Sequence, residues 1–428
     1  MATSPSKSSY SRKLTDGGVH MNESACDLLL RGGRVIDPAS GINADADAAI
    51  RDGRILAVGH LTDMAAKTVL DVTGCMVVPG LIDMHCHCFP TFPFSDQTLP
   101  TIHPDAHMLQ NGVTTCVDAG TCGWQNFPQF YETVIKKARV RVLAFLNIAD
   151  RGMACMADED DPARLRPGVA AEVAKAYGDA IVGIKTAHYW VGKPFDALHA
   201  PWASVDAALE AAQRSGLPCM ADVQPTLPER SYPALLERLR PGDIHTHVYA
   251  QQFPVLDAQG RVSDFLLEAR ARGVAFDLGH GAGSFWFRNA VPALRQGFPP
   301  DTLSTDLYLD NVAGPVIGLM HVMSKYLCMG MPVPEIIRRV TAAPAALIRR
   351  PELGTLAPGA CADVAVLRIV EQPVHFADSG RARMAGDRFF QCMAALRGGQ
   401  IAYDPYALSL HDWESAPAPY WTPPGVLP

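Results

Sequence analysis

Apolar and polar positions change rhythm twice along the chain, which divides it into three zones. From Cys26 to Val78, short apolar runs (Leu28-Leu29-Leu30, Val35-Ile36, Ala48-Ala49-Ile50, Ile55-Leu56-Ala57-Val58) are separated by Gly32-Gly33, Pro38-Ala39-Ser40-Gly41 and Asp52-Gly53. Runs of that length between turn residues predict a small β domain. From Gly80 to about Arg350 the pattern becomes strand, loop, helix, repeated. Strands are expected at 81–87, 113–118, 141–147, 181–186, 218–222, 243–248, 274–278 and 302–306, with amphipathic helices such as 202–215, 232–240 and 263–272 between them. Eight strands alternating with helices predict an α/β fold, a (β/α)8 barrel of the TIM type. β character returns at 363–367, 393–397 and 401–403. Short strands on both flanks imply that the chain ends pair into one β-sandwich module, 26–78 with 352–413, around a barrel at 79–351. Residues 1–25 read as a disordered leader, with Met21 as an alternative start, and 414–428 as a Pro-rich tail.

Composition narrows the partners. With 428 residues, 48% hydrophobic and 19% charged, the chain can bury a sizeable core. The net charge of −7 is spread along it, which leaves no basic footprint for nucleic acid and no polybasic membrane patch. No apolar run reaches the ~18 residues of a membrane helix, and residues 1–25 lack the apolar stretch of a signal peptide. The 11 cysteines form no zinc-ribbon pairs, and the odd count suits reduced thiols in a cytoplasmic protein.

The chemistry starts in the run Val77-Val78-Pro79-Gly80-Leu81-Ile82-Asp83-Met84-His85-Cys86-His87. Alternation along a buried strand points both imidazoles one way and Cys86 and Cys88 the other. Two neutral imidazoles at a strand end are a ready pair of metal ligands, against the plainer reading of two core histidines. Barrel active sites lie at the C-terminal strand ends. There the sequence places His85 and His87 on the first strand, Lys185 on the fourth, Asp222 on the fifth, His247 on the sixth, His280 after the seventh and Asp306 on the eighth. His245, two residues before His247, is expected deeper in the barrel as packing. The loop Gly279-His280-Gly281-Ala282-Gly283-Ser284 is expected to offer free N–H groups to an anionic substrate, with His280 touching it. It lacks the Lys-Ser/Thr of a nucleotide loop. His103 and His107 read as surface or rim residues, and Tyr189-Trp190 as an aromatic wall or as ordinary packing.

These stretches resemble the amidohydrolase superfamily over about residues 26–413. The resemblance is carried by Gly33-Arg34-Val35-Ile36-Asp37-Pro38, the His85-Cys86-His87 run and Gly354-Thr355-Leu356-Ala357-Pro358-Gly359. Gly112-Val113-Thr114-Thr115, Gly183-Ile184-Lys185, Asp277-Leu278-Gly279-His280-Gly281 and Ser304-Thr305-Asp306 are most similar to its deacetylase and dihydroorotase-like group. The resemblance implies a hydrolase with two divalent metal ions, zinc or alternatively manganese, held by His85, His87, Lys185, Asp222, His247 and Asp306. It implies that Lys185 carries a CO2-derived carbamate and that Asp306 moves the proton while a metal-activated hydroxide attacks an amide or ester carbonyl. A small acylated, carboxylate-bearing substrate is expected. Cyclic amides are the nearest alternative, a non-catalytic binding protein the more distant one, and a homo-oligomer follows by analogy alone.

One position departs from the family pattern. The fifth strand usually ends in a histidine, and here it reads Pro218-Cys219-Met220-Ala221-Asp222. A carboxylate can still bind zinc, but it lowers the formal charge of the centre by one unit. A less positive centre acidifies water less, which predicts a higher pH optimum or a harder ion such as Mn²⁺.

Overall fold

Twelve residues of continuous extended chain open the fold, where two short strands were expected. In the computed structural model, which describes residues 25–91 and 98–421, β1 (Cys26–Asp37) runs through both apolar runs. Its pairing with β2 (Ile42–Arg51) slips between Leu30 and Gly33, so Gly32-Gly33 forms a bulge and not a turn. The expected leader (apart from Ala25), the alternative start at Met21 and the end of the Pro-rich tail lie outside the described residues.

β3 (Arg54–Gly59), β4 (Ala66–Asp71) and β5 (Met76–Pro79) follow. They join β13 (Val364–Ala377), β14 (Arg383–Arg397) and β15 (Gln400–Tyr403) in one mixed sheet of order β15-β14-β13-β5-β1-β2-β3, with β4 also on β1. The two ends of the chain meet where Val77 of β5 pairs with Val366 of β13. β13 and β14 run well past the expected 363–367 and 393–397. Their outer halves are largely exposed, so no apolar alternation marked them. The connection between them braces the other part of the molecule: Ser379 N–H donates to Phe285 O, and Asp378 accepts from Phe287 N–H.

After Gly80 the chain enters a second, wholly parallel and curled sheet. It comprises β6 (Leu81–Cys86), β7 (Val113–Gly123), β8 (Arg141–Asn147), β9 (Ile181–Ala187), β10 (Cys219–Asp222), β11 (Ile244–His245) and β12 (Ala275–Phe276), in sequence order. The expected eighth strand, 302–306, and Leu307 just after it form single parallel bridges to both edges, Thr302 with Asp277 and Leu307 with Cys86. Asp83 reinforces the second by accepting from the N–H and hydroxyl of Thr305. A left-handed residue, Asp306 (φ 50°), interrupts any longer ladder there.

The concave face of this sheet carries one apolar cluster: Ile82, Met84, Val117, Leu143, Phe145, Val182, Met220 and Ile244, with Ile348 and Leu353. The outer face packs on helices such as Ala203–Ser215, whose buried Val205, Ala208 and Ala212 recur at helical spacing. The expected strands 218–222, 243–248 and 274–278 shorten to four, two and two residues. Their ends leave the ladder to present the polar groups described next.

Candidate active site

Six of the seven residues expected at the strand ends come together. Between Asp83 and Cys86 the pairing of β6 with β7 slips, so that after inward Met84 the side chains of His85 and His87 both turn to the concave side. Left-handed backbone does the same at His247 (φ 62°) and Asp306 (φ 50°). Two glycines make room. A Cβ on Gly279 would lie 2.7 Å from His247 Nδ1, and one on Gly281 2.5 Å from Asp306 Oδ2. The glycine-rich loop therefore serves close approach to these two side chains. Its first three N–H groups, at Gly279, His280 and Gly281, donate within the protein, contrary to the expectation that they are free for substrate.

Each imidazole is held by its Nδ1. His85 Nδ1 donates to Thr246 Oγ1 at 3.0 Å, and that hydroxyl donates on to Asp277 at 2.8 Å. His247 Nδ1 donates to Gly279 O at 2.6 Å, and His87 Nδ1 pairs with Thr121 Oγ1 at 2.8 Å. The Nε2 atoms then converge. Those of His85 and His87 lie 3.4 and 3.0 Å from Asp306 Oδ1, and that of His247 lies 3.0 Å from Asp222 Oδ2. Lys185 Nζ, fully buried, is 3.2 Å from Asp222 Oδ2 and 3.5 Å from His85 Nε2. The ligand atoms of His85, His247 and Asp306 all lie within 4.8 Å of one another. Imidazoles fixed at Nδ1, with Nε2 aimed at carboxylates, are a donor set that fits divalent ions.

Charge is distributed unevenly. Burial alone would neutralise Asp222, but His247 and Lys185 outweigh it and hold the carboxyl well below its usual range. Asp222 in turn holds His247 above its ordinary value despite burial. Burial, helped by Lys185, pushes His85 well below its own, leaving a neutral imidazole. Burial would raise Asp306, yet His85, His87 and His247 keep it below the ordinary carboxylate value.

His280 does not join the cluster. It is buried, stacks on Phe285, donates from Nδ1 to Gly281 O and accepts from Lys325 Nζ at 2.6 Å through Nε2. With both ring nitrogens engaged, it braces the loop and has no nitrogen left for substrate. His245 packs among Tyr232, Phe253 and Phe276 on the helix side of the sheet. It does not lie deeper in the barrel, because the left-handed turn at His247 breaks the alternation that would put both on one face. Tyr189 is core, and Trp190 stacks on His199 at 3.4 Å between centroids. His103 is exposed and His107 half-buried at the helix Pro104–His107.

Two functional candidates escaped the sequence reading. Asp277 accepts from Thr246, Thr302 and Ser304 and so fixes the ring of His85; its signals were a lone carboxylate in the apolar run 274–278 and its place at the head of the Asp277–Gly281 motif. His188 follows β9 in a left-handed conformation, 42% exposed, with Nδ1 donating to Glu159 Oε2 at 3.1 Å. Partial desolvation pulls its pKa down, but Glu159, with help from Asp222, pushes it up to about 9. It is a cation beside the cluster.

A curled parallel sheet thus carries a histidine, lysine and carboxylate cluster at its C-terminal strand ends. No family model matches the chain. A protein named deacetylase from Enterococcus faecalis is 31% identical over 386 residues, covering 88% of this chain and 99% of that one. A solved structure described as an adenine deaminase superposes with a TM-score of 0.79 at 30% identity, covering 89% of this chain and all of the other. One described as a dihydroorotase gives 0.73 at 28%, covering 87% and 98%. The chain belongs to the amidohydrolase superfamily. It is an enzyme of that class, a hydrolase acting on carbon–nitrogen bonds.

Proposed function

We propose that this enzyme removes the acyl group from a small amide or ester that bears a carboxylate, as a metal-dependent deacetylase on a closed (β/α)8 barrel. The convergence of three Nδ1-anchored imidazoles on Asp306 and Asp222 carries this reading, and the deacetylase relative that spans the chain points to the substrate class. His85, His87, His247, Asp222, Asp306 and Lys185 carboxylated by CO2 would together hold two divalent ions, zinc or manganese. Such ions polarise a carbonyl and make water acidic enough to react near neutral pH.

The chain's own residues supply the rest. Asp306, a carboxylate at neutral pH, takes a proton from the attacking water and returns it to the leaving nitrogen or oxygen. Asp277 and Thr246 hold the His85 ring so that this exchange has fixed geometry. His188 holds the substrate carboxylate through the ring edge that Glu159 leaves open. Carboxylation would turn Lys185 from a partner of Asp222 into a second anion 3.2 Å away. Carbamate formation on Lys185 would therefore need the positive charge that divalent ions would supply.

A screen with Zn²⁺ or Mn²⁺ supplied tests the reading. N-acyl amino acids and O-acyl hydroxy acids should turn over with release of the free acid. Turnover confined to cyclic amides, the chemistry named for the dihydroorotase neighbour, or to adenine would overturn it. So would a folded protein that retains no metal. Asp222→His should lower the pH optimum, because it restores one unit of positive charge to the centre.

A further inference from the structure

The strand that carries the two histidines has a second face, and three cysteines meet there. Cys86 and Cys88 point away from the cluster, and Cys116 reaches them from the neighbouring β7. All three are fully buried, and their sulfurs lie within 4.8 Å of one another. Among the described residues, only one other group of three such ligand atoms is as close: His85, His247 and Asp306. The remaining eight cysteines join no such group.

We infer that Cys86, Cys88 and Cys116 form a thiolate site for a thiophilic divalent d10 cation, of the zinc and cadmium type, on the back of the histidine strand. A zinc–sulfur bond is ~2.3 Å, so three sulfurs around one such ion stand about 4 Å apart. Starting from at most 4.8 Å, each sulfur closes in by no more than about 0.5 Å, within reach of small side-chain adjustments. Sulfur donors select soft cations, whereas the histidine and carboxylate cluster suits harder ones, so the two faces of β6 differ in what they hold. The ion has a path. A cavity of about 390 Å³ is lined by buried Cys88 at one side and by exposed His103 and Lys137 at the other.

Three thiols lose their protons to water as three metal–thiolate bonds form, and the divalent ion cancels two of the three negative charges. Occupied, the site ties β6 to β7 directly behind His85 and His87, so it supports the strand that presents them. The inference is independent of the proposed reaction, since no atom of the catalytic cluster takes part.

The test uses the full-length, reduced, metal-stripped chain titrated with Cd²⁺. A sulfur-to-cadmium charge-transfer absorption should grow to one equivalent, with a rise in melting temperature. Cys116→Ala and Cys88→Ala should each lose most of the band and the added melting temperature. A chain with Ser at the half-buried Cys75, Cys155, Cys328 and Cys361 should keep both. If Cys116→Ala proves unfolded by circular dichroism, Cys88→Ala alone decides. The inference is overturned if the wild type shows no band at several equivalents. It is also overturned if the band survives Cys88→Ala and disappears in the four-serine chain.

Discussion

The same strands build two layers with opposite physics. On β9, Val182 belongs to the apolar cluster and Lys185, three residues on, to the charged one; on β10, Met220 and Asp222 divide likewise two residues apart, and on β11 with its extension, Ile244 and His247 three apart. At ~3.3 Å per residue the layers are separated by about 7–10 Å. The lower layer is held by shape, with Phe145 fully buried in it. The upper layer is held by charge and hydrogen bonds that impose specific atoms, and it keeps a cost in stability: buried ions and left-handed backbone at His247 and Asp306. Stability and chemistry should therefore separate cleanly when one layer is changed and the other left alone.

The sharpest separation is expected at Asp306. Asp306→Asn keeps the shape and removes the proton carrier, so kcat should fall by about 10²–10⁴ while the denaturation midpoint hardly moves. Single-turnover kinetics beside urea melts measure both. A kcat within tenfold of wild type would show that another group moves the proton. Phe145→Ala is the mirror image. Emptying that site should cost about 3–5 kcal/mol of stability, with kcat of the folded protein little changed, because the ring belongs to the apolar cluster. If kcat collapses while stability holds, the layers are not independent.

Asp277→Asn probes the seam between them. It sits under His85 and accepts from three hydroxyls. Losing its charge frees the His85 ring to choose the wrong tautomer, and metal affinity should drop about 10–100-fold in a chelator competition. Unchanged affinity would mean that Thr246 alone fixes the ring.

The lower layer and the strands that frame it were legible in the sequence because alternation works wherever backbone is extended. It put His85 and His87 on one face and Cys86 and Cys88 on the other, as the structure has them. The same argument failed for His245, since a left-handed residue lies between the observed strand and the site. His280 was misplaced for another reason. Its partner Lys325 comes from a helix 45 residues away, and spacing along the chain cannot announce a long-range pair. The glycines around it read as an anion loop, when their missing side chains make room for His247 and Asp306. The outer halves of β13 and β14 carry no pattern because neither of their faces is fully covered.

The smallest expected effect concerns where the upper layer meets solvent. His188 is charged through a pKa of about 9, above the ordinary ~6.5 for histidine. A raised pKa means that its pairing with Glu159 contributes stability in full below about pH 6.5, and loses it as the pH climbs through about 9. Binding of a substrate carboxylate should follow the same curve, with KM flat to about pH 8 and rising above 9 while kcat does not share the inflection. The side chain is 42% exposed, so a contact to a charged group is discounted to about 1 kcal/mol, or roughly fivefold in KM. His188→Gln should therefore raise KM about fivefold at pH 7 and abolish the rise above pH 9. Glu159→Gln, which keeps the imidazole, should instead move the inflection down toward the ordinary histidine value. An identical KM profile in His188→Gln would place the carboxylate elsewhere and confine His188 to the structure of the loop.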